Sequence, residues 1–198
     1  MKKSIALFDF DGTISTIDSV TYFYKFLYKC NLHYFINNYI LCSLHILLYR
    51  IRLISYLPLK EYRLDVHTSR FNDVELKMLA TEFYSKYFSG ILNPKALERI
   101  QWHKNQGHDV WVISASYDFL LNDWSAENGI KLIANRTVKN KYKRYIDGKD
   151  VNFEGKLEYL KLHVNLDVYS EVYAYGDSEG DNALLSVAHF KYYKPFRN

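Results

Sequence analysis

Short apolar runs recur near the start of the chain and through its second half, and polar segments with helix-like spacing separate them. The runs are Ile5–Phe8, Val110–Ile113 and Val172–Tyr175. Unbroken apolar runs of this length are typical of strands that are buried on both faces, as strands of parallel sheets are. Because such strands alternate here with helical segments, the pattern predicts an α/β fold with a parallel sheet and crossover connections.

The segment before the second run shows where one such helix begins and ends. Asn93 and Pro94 form a helix start, with asparagine as the N-cap and proline in the first position. The predicted helix continues to Gln106 and stops at Gly107, and a strand follows over Asp109–Ser114. This order of helix and strand is the one that a parallel sheet requires.

The stretch between residues 13 and 89 differs from the rest of the chain in its glycine and proline content. It contains no glycine and a single proline, Pro58, and it is rich in Leu, Tyr, Lys and Glu. Such a composition favours a run of helices. The sequence therefore predicts an α/β core over residues 1–13 and 92–198, interrupted by a helical insertion over residues 14–91.

One part of the insertion, Tyr34–Leu57, is strongly apolar. A helix that spans a membrane needs about 20 mostly apolar residues. Polar and basic residues interrupt this segment, so we do not expect it to span a bilayer. The interrupting residues are Asn37, Asn38, His45, Arg50 and Arg52. We interpret the segment as the core of the helical insertion; the alternative is an apolar surface that contacts lipid.

A second segment, Lys139–Lys149, is strongly basic and also contains Tyr142 and Tyr145. Its length and polarity predict an exposed hairpin or loop. Runs of charge are more often a solvated face than a binding patch, and we interpret this one in the same way.

Composition and charge narrow the class of protein. The 198 residues are 48% apolar and 24% charged, the mix of a soluble globular protein. The net charge of +4 is too small to favour a nucleic-acid partner. Cys30 and Cys42 lack the spacing of a zinc site and indicate buried free thiols. Asp9 and Asp11 make the first apolar run too short for a signal peptide, so we expect a cytoplasmic protein, with membrane association through the insertion as the alternative.

Two acidic pairs follow the first and third of these predicted strands. Asp9 and Asp11 come directly after the first strand, whose alternation lets both side chains point the same way. Asp177 ends the third run, and Asp181 lies one helical turn later. The carboxyl ends of strands in a doubly wound sheet border one crevice. Because carboxylates so close together need a shared proton or cation, the two pairs predict a magnesium site.

Three further residues add chemistry to this predicted site. Ser114 places a hydroxyl at the end of another predicted strand, and Lys156 brings a cation at the start of an apolar helix. Gly12 lets the backbone turn closely past an anion. The predicted crevice would therefore hold a hydroxyl and a cation besides its carboxylates.

In this order the residues resemble the four motifs of the haloacid dehalogenase-like phosphatase superfamily. The first motif, Asp-x-Asp-x-Thr, matches residues 9–13, and the fourth, Gly-Asp-x-x-x-Asp, matches residues 176–181. The second and third motifs are a strand-end Ser or Thr and a Lys, here Ser114 and Lys156. A helical insertion between the first and second motifs is similar to the type 1 cap of the phosphoserine-phosphatase-like branch, subfamily IB. The resemblance thus implies a Rossmann-like doubly wound core with an all-helical cap.

The resemblance also implies Mg²⁺-dependent hydrolysis of a phosphate monoester. Asp9 is expected to attack phosphorus and form an aspartyl-phosphate, and Asp11 to act as general acid and then as general base. The expected metal ligands are Asp9, the Asp11 backbone carbonyl, Asp177 and Asp181. The expected phosphate contacts are Ser114, Lys156, Gly12 and Thr13.

Several choices stay open. Lys149 competes with Lys156 for the third motif. Asp18, Ser116 and Arg63 are candidates for contact with the substrate, although helix N-capping explains Asp18 equally well. We expect a small phosphorylated metabolite; the alternative is a lipid phosphate, as in the resembling phosphatidylglycerophosphatases of the C type. Phosphoryl transfer to an alcohol and a non-catalytic binding role are the remaining alternatives.

Overall fold

The computed structural model describes residues 3–28 and 32–197, and for residues 32–35 it describes the backbone alone. The strands are β1 (Lys3–Phe8), β2 (Asp109–Tyr117), β3 (Lys131–Asn135), β4 (Thr137–Lys139), β5 (Arg144–Ile146), β6 (Tyr169–Gly176) and β7 (Phe190–Tyr193). The helices are α1 (Ser19–Tyr28), α2 (Leu32–Arg50), α3 (Tyr56–Thr68), α4 (Asp73–Tyr87), α5 (Pro94–Asn105), α6 (Asp118–Glu127), α7 (Glu154–His163) and α8 (Asn182–Ser186). Short 3₁₀ turns lie at residues 88–91, 166–168 and 179–181.

The centre of the fold is a five-stranded sheet in the order β3-β2-β1-β6-β7, with every neighbouring pair parallel. This confirms the predicted doubly wound α/β fold. The strand order reverses at β1, which lies in the middle between β2 and β6. In open sheets of this kind the ligand crevice lies at the carboxyl ends of the strands, at that reversal. The end of β1 is therefore the place to look for a site.

The sheet is buried on both faces, as its apolar strands require. Ala6 and Phe8 join one cluster of buried side chains, and the intervening Ile5 and Leu7 join a second cluster. Alternation along β1 sends these pairs to opposite faces. Each fully buried aliphatic or aromatic side chain contributes about 1.5–3 kcal/mol. The central strand is thus held from both sides, which fixes the residue that follows it.

Between β1 and β2 the described elements are all helical, from α1 to α5. The chain leaves the sheet and returns to it at adjacent points, because the Thr16 amide donates to the Ile91 carbonyl (2.7 Å) and the Asn93 amide to the Ile14 carbonyl (2.8 Å). The Asn93 side chain also caps α5 by accepting from the Lys95 amide, as predicted. Division of the chain into a core and an inserted domain stays a prediction.

The basic segment Lys139–Lys149 forms the predicted hairpin of β4 and β5, but it is not simply a solvated face. Arg144 is buried, and its guanidinium donates to the Asp73 carboxylate (2.7 Å) and to the Phe71 carbonyl (3.2 Å). Its amide donates to the Asp65 carboxylate (2.7 Å). The expectation of full exposure is wrong here, because carboxylates and a carbonyl of the insertion pair with the hairpin. At the tip, Tyr142 is exposed.

The apolar segment Tyr34–Leu57 is not the core of the insertion. It forms most of α2, the turn after it and the first two residues of α3, and its aliphatic side chains are largely exposed, among them Ile40, Leu44 and Leu53. The interpretation is wrong because α2 packs against α3 through one face only. Within the described ranges, no helix combines the length and apolar character needed to cross a bilayer. Cys42 is a buried free thiol, whereas Cys30 lies outside the described residues.

Candidate functional site

A buried pair of carboxylates and a lysine lie at the carboxyl end of β1. Asp9 follows the strand directly, and its amide donates to the carbonyl of Tyr175 in β6 (2.9 Å). The Lys156 ammonium, from α7, contacts one oxygen of Asp9 and lies 2.6 Å from Asp181 Oδ1. Lys156 and both carboxylates are nearly inaccessible to water. The end of β1, the first turn of α7 and the loop after β6 therefore meet in one cluster of buried charge.

Two glycines let the acidic side chains approach the backbone. A Cβ on Gly12 would lie 2.5 Å from Asp177 Oδ2, and one on Gly176 would lie 2.5 Å from the Cβ of Asp181. Gly12 also has a positive φ of 83°, which other residues rarely adopt. Any side chain at either position would push the carboxylates out of place.

The acidic residues offer the ligands that a hard divalent cation prefers. Oxygens of Asp9, Asp177 and Asp181 all lie within 4.8 Å of one another. Carboxylates at this separation repel unless a cation shares them, and here Lys156 and Arg197 form ion pairs with them. Donors that are all oxygen and all carboxylate suit a divalent ion such as Mg²⁺.

The loop after β6 positions Asp181. Its second oxygen accepts from the amides of Asp177 (3.0 Å) and Ser178 (2.9 Å) and from the Ser178 hydroxyl (3.0 Å). Burial would raise the pKa of Asp181, but Lys156 and these donors lower it below its usual range. Burial would likewise lower the pKa of Lys156, yet Asp9 and Asp181 raise it. This pair is therefore held in its charged form.

Asp9 and Asp11 have the opposite character, because burial dominates their environment. Burial raises the pKa of Asp9 to about 6, against the opposing charge of Lys156. Burial, helped by the charge of Asp18, raises the pKa of Asp11 to about 7. Asp11 Oδ1 accepts from the Ser19 amide (2.7 Å), which fixes its orientation at the start of α1. A carboxyl group with this pKa can give and take a proton near neutrality.

A cavity of about 180 Å³ opens above these residues. Of the site residues predicted from the sequence, six line it: Asp9, Asp11, Asp18, Arg63, Ser114 and Lys156. Asp177, Asp181, Gly12 and Thr13 are not part of the lining; Asp177 and Asp181 belong to the acidic cluster with Asp9. Side chains from the core and from the helical insertion therefore meet around one small space.

Three predicted residues are placed in ways that refine their roles. The Asp18 side chain accepts from the Thr21 amide (2.6 Å), so it caps α1 as well as lining the cavity. The Ser116 hydroxyl forms a hydrogen bond of 3.1 Å with that of Ser19 and is not part of the cavity lining, so its contact with the substrate stays a prediction. The Thr13 hydroxyl is buried, and none of the described residues forms a hydrogen bond with it.

The geometry separates the two candidate lysines. Lys149 pairs on the surface with both oxygens of Glu158, at 2.6 and 2.7 Å. Lys156 instead reaches Asp9 and Asp181 from the first turn of α7. Lys156 is thus the only one of the two that lies at the cavity.

Several residues that line the cavity were not predicted from the sequence: Tyr24, Tyr56, Tyr117, Asn152 and Ser178. Lys60 lines it as well. Lys60, from α3, contacts the Asp150 carboxylate, which also accepts from the Asn135 amide group (2.8 Å). Burial lowers the pKa of Lys60, against the charge of Asp150. Tyr117 and Ser178 lie close to predicted motifs, and that proximity was the available signal; nothing in the sequence marks Tyr24 or Tyr56.

Comparisons with known proteins agree with this geometry. The family model described as haloacid dehalogenase-like hydrolase matches residues 6–186. A protein of unknown function from Bordetella pertussis Tohama I has a similar structure, with a TM-score of 0.80 and 22% identity, over 95% of this chain and 88% of that one. A comparison with curated protein sequences gives no significant match.

Two further solved structures share the fold at lower similarity. A phosphoserine phosphohydrolase-like protein from Francisella tularensis has a TM-score of 0.64 and 20% identity, over 98% of this chain and 86% of that one. A phosphoserine phosphatase described as a phospho-aspartyl intermediate analogue has a TM-score of 0.60 and 19% identity, over 96% and 86%. The predicted phosphoserine-phosphatase-like fold is therefore confirmed.

Proposed function

Because the chain belongs to the haloacid dehalogenase-like hydrolase family, we propose that it is a Mg²⁺-dependent phosphatase that cleaves a monoester of a small phosphorylated metabolite. The observation that carries this proposal is the meeting of Asp9, Lys156 and Asp181 at the end of β1, beside Asp11 in the same cavity. A carboxylate nucleophile, a proton donor and a fixed cation are the groups that phosphoryl transfer through an enzyme-bound intermediate requires.

In the first proposed step, a carboxylate oxygen of Asp9 attacks phosphorus and the bond from phosphorus to the ester oxygen breaks. Asp11 gives its proton to the departing alkoxide, so an alcohol leaves and an aspartyl-phosphate remains on Asp9. The raised pKa of Asp11, about 7, supports this role because a protonated carboxyl group is present near neutrality. The hydrogen bond from the Ser19 amide holds the carboxyl group in place through the step.

In the second proposed step, Asp11 takes a proton from water, and the water oxygen attacks phosphorus. The bond between phosphorus and Asp9 breaks, which frees inorganic phosphate and restores the carboxylate. Lys156 and Ser114, which both line the cavity, hold the phosphoryl oxygens during both steps. Thr13 and Gly12 shape the turn that brings the backbone close to them.

The acidic cluster supports the proposed metal. Asp9, Asp177 and Asp181, together with the Asp11 backbone carbonyl, would hold Mg²⁺, since their oxygens are of the kind this ion prefers. When bound, Mg²⁺ offsets the repulsion between the Asp9 carboxylate and the phosphate dianion.

The cavity supports a small substrate with charged groups besides the phosphate. Its volume of about 180 Å³ suits a compact molecule. Arg63 extends into it from α3, where its guanidinium donates to the Thr21 hydroxyl (3.2 Å) and lies 5.9 Å from the centre of the Tyr24 ring. Arg63 is placed to meet an anionic group of the substrate, and Asp18 a cationic one, because opposite charges attract strongly in a partly buried site.

A lipid phosphate is the second candidate, favoured by one observation. Tyr56, which lines the cavity, contacts Tyr49 of α2 with ring centres 6.1 Å apart, and exposed aliphatic side chains surround that end of α2. An acyl chain leaving the cavity along this path would meet an apolar surface.

The test is release of inorganic phosphate from a panel of esters, with Mg²⁺ and with a chelator. The panel contains phosphoserine, sugar phosphates, and phosphatidylglycerophosphate in micelles. We expect Mg²⁺-dependent turnover that Asp9→Asn reduces by at least about 10³-fold. Asp167→Asn, a matched change at an exposed aspartate, should leave the rate unchanged.

The same panel separates the alternatives. The best ester decides between a metabolite and a lipid phosphate, and an alcohol added as acceptor would reveal phosphoryl transfer through formation of a new ester. Folded protein that binds Mg²⁺ and turns over none of the esters would contradict the proposal and favour a binding role.

A further inference from the structure

Helix α2 has the reverse of the usual polarity. Four aliphatic residues of α2 and the residue directly after it recur at spacings of four, four, three and four, which places them on one side of a helix. They are Ile36, Ile40, Leu44, Leu47 and Ile51, and each is between 47% and 61% exposed. We call these five residues the outer face of α2. Surface helices of globular proteins normally turn such a stripe toward the core.

Three other residues of α2, Asn38, Cys42 and His45, lie on the side toward α3 instead. Asn38 is buried and donates from its side chain to the Val66 carbonyl (3.1 Å). Cys42 is buried, and the His45 ring stacks on that of Tyr62. These contacts fix the rotation of α2, so its outer face cannot turn inward without exposing Asn38 and Cys42. The outer face therefore needs an apolar environment from outside the described part of the chain.

Charge identifies the kind of environment. The 42 residues from Ser19 to Lys60 contain no aspartate or glutamate, while Lys25, Lys29, Arg50, Arg52 and Lys60 are all basic. Arg50 and Arg52 lie at the end of the outer face, and none of the ion pairs within residues 3–28 and 32–197 involves either. An aliphatic face bordered by unopposed basic charge is complementary to an anionic bilayer surface.

The backbone at Arg52 supports the same conclusion. Arg52 has a φ of 61°, in the left-handed region that favours glycine, and it follows the last turn of α2. Its amide donates to the Tyr49 carbonyl (2.9 Å), and the Leu53 amide donates to the Leu48 carbonyl (2.9 Å). These are the bonds of a Schellman motif, where glycine is the usual residue. A basic side chain is thus kept, at a conformational cost, at the end of the outer face.

From these observations we infer that the outer face of α2 docks on an anionic lipid bilayer. The aliphatic side chains enter the boundary between headgroups and acyl chains, and Arg50 and Arg52 meet lipid phosphates. A second copy of the chain fits less well, since a two-fold interface would bring this face against itself. That face has no carboxylate to pair with its arginines. The inference does not depend on the proposed phosphatase activity.

The experiment measures binding of the full chain to vesicles of phosphatidylcholine alone and of phosphatidylcholine mixed with phosphatidylglycerol. We expect binding to the mixed vesicles that weakens as salt rises. The double variant Ile40→Ser/Leu44→Ser should weaken it by roughly 100-fold, since two aliphatic side chains no longer enter the lipid. The control Leu162→Ser/Val168→Ser changes two aliphatic residues of the α/β part of the chain that are at least as exposed. It should bind as the wild type does.

Arg52→Gly separates lipid binding from stability. Glycine adopts the φ of this position without steric cost, so the thermal midpoint should be equal or higher. Vesicle binding should nevertheless fall about fivefold, because one basic charge near the surface is lost.

Three results would overturn the inference. One is wild-type protein that binds neither kind of vesicle, or binds both equally. Another is a control variant, Leu162→Ser/Val168→Ser, that weakens binding as much as the α2 variant does. The third is a wild-type dimer, seen by light scattering, that dissociates in Ile40→Ser/Leu44→Ser without any vesicle binding; that result would assign the outer face to a second copy.

Discussion

The carboxyl end of the sheet and the outer face of α2 both depart from the rule that charges lie outside and aliphatic side chains inside. At the sheet, Asp9, Asp181 and Lys156 are buried together. On α2, residues such as Ile40 and Leu47 face outward. The first departure is balanced within the chain, because each buried charge has an opposite partner. The second has no counterpart among the described residues.

This difference separates two ways in which function shapes a structure. In a buried charge cluster, all the interacting groups belong to the same chain. They must stay together because burying any one charge without its partner costs free energy. An exposed aliphatic face is one half of a contact. The charge cluster is recognised from contacts within the protein. The aliphatic face is recognised because the described residues do not cover it.

The largest effect is expected when the cation that the buried cluster shares is removed. Lys156→Met leaves Asp9 and Asp181 buried without a cation between them, so we expect loss of activity and a decrease of about 3–5 kcal/mol in the free energy of unfolding. Denaturant titration in the presence of a chelator measures this decrease. Mg²⁺ should restore part of the stability, since a bound cation favours the folded state.

Lys149→Met is the matched control, since Lys149 pairs with Glu158 on the surface of the same region. A surface ion pair contributes about 0–1 kcal/mol, and the control should lose no more than that. Equal losses in the two variants would show that the buried cluster is not balanced internally as described.

A second prediction concerns chemistry alone. Asp11→Asn keeps an oxygen that accepts from the Ser19 amide, so the fold should remain, but it removes the proton. We expect a rate loss of about 10²–10⁴-fold on alkyl phosphates. The loss should be much smaller on a nitrophenyl phosphate, whose leaving group needs no proton. A uniform loss across leaving groups would rule out Asp11 as the general acid.

The smallest effect is expected on α2. Leu64, on α3, is fully buried, and Leu64→Ala should cost about 2–5 kcal/mol of the free energy of unfolding. Ile40→Ala, at an exposed position on the neighbouring helix, should change it by no more than about 0.5 kcal/mol. Thermal or denaturant unfolding without lipid measures both. A large loss for Ile40→Ala would mean that the outer face already packs against protein.

The sequence predicted the sheet and the acidic motifs because both are local patterns. Asp9 follows an apolar run directly and Asp177 follows one after a single glycine, and the topology of a parallel sheet brings strand ends together. The family match confirms the resemblance drawn from those motifs. No long-range information was needed for this part of the fold.

Other features depend on contacts that sequence spacing does not reveal. Lys149 and Lys156 each follow a glycine directly, and only the position of α7, which brings Lys156 to Asp9 at the end of β1, separates them. The sequence around Arg144 predicts a solvated basic residue of a hairpin. In the structure Arg144 is buried, and its guanidinium donates to Asp73 and to the Phe71 carbonyl. Asn38 and Cys42 of α2 face α3, whereas the spacing of the aliphatic stripe alone would predict that the stripe faces the protein.

The ties between the helical insertion and the core have a kinetic consequence. Lys60 of α3 contacts Asp150 of the core, and Arg144 joins the hairpin to Asp73 and Asp65. An opening wider than the present mouth of the cavity must break these bonds together. Such collective motions take microseconds to milliseconds. For bulky esters, the turnover rate would then be set by the rate at which the insertion moves away from the core. Product release would be the rate-limiting step.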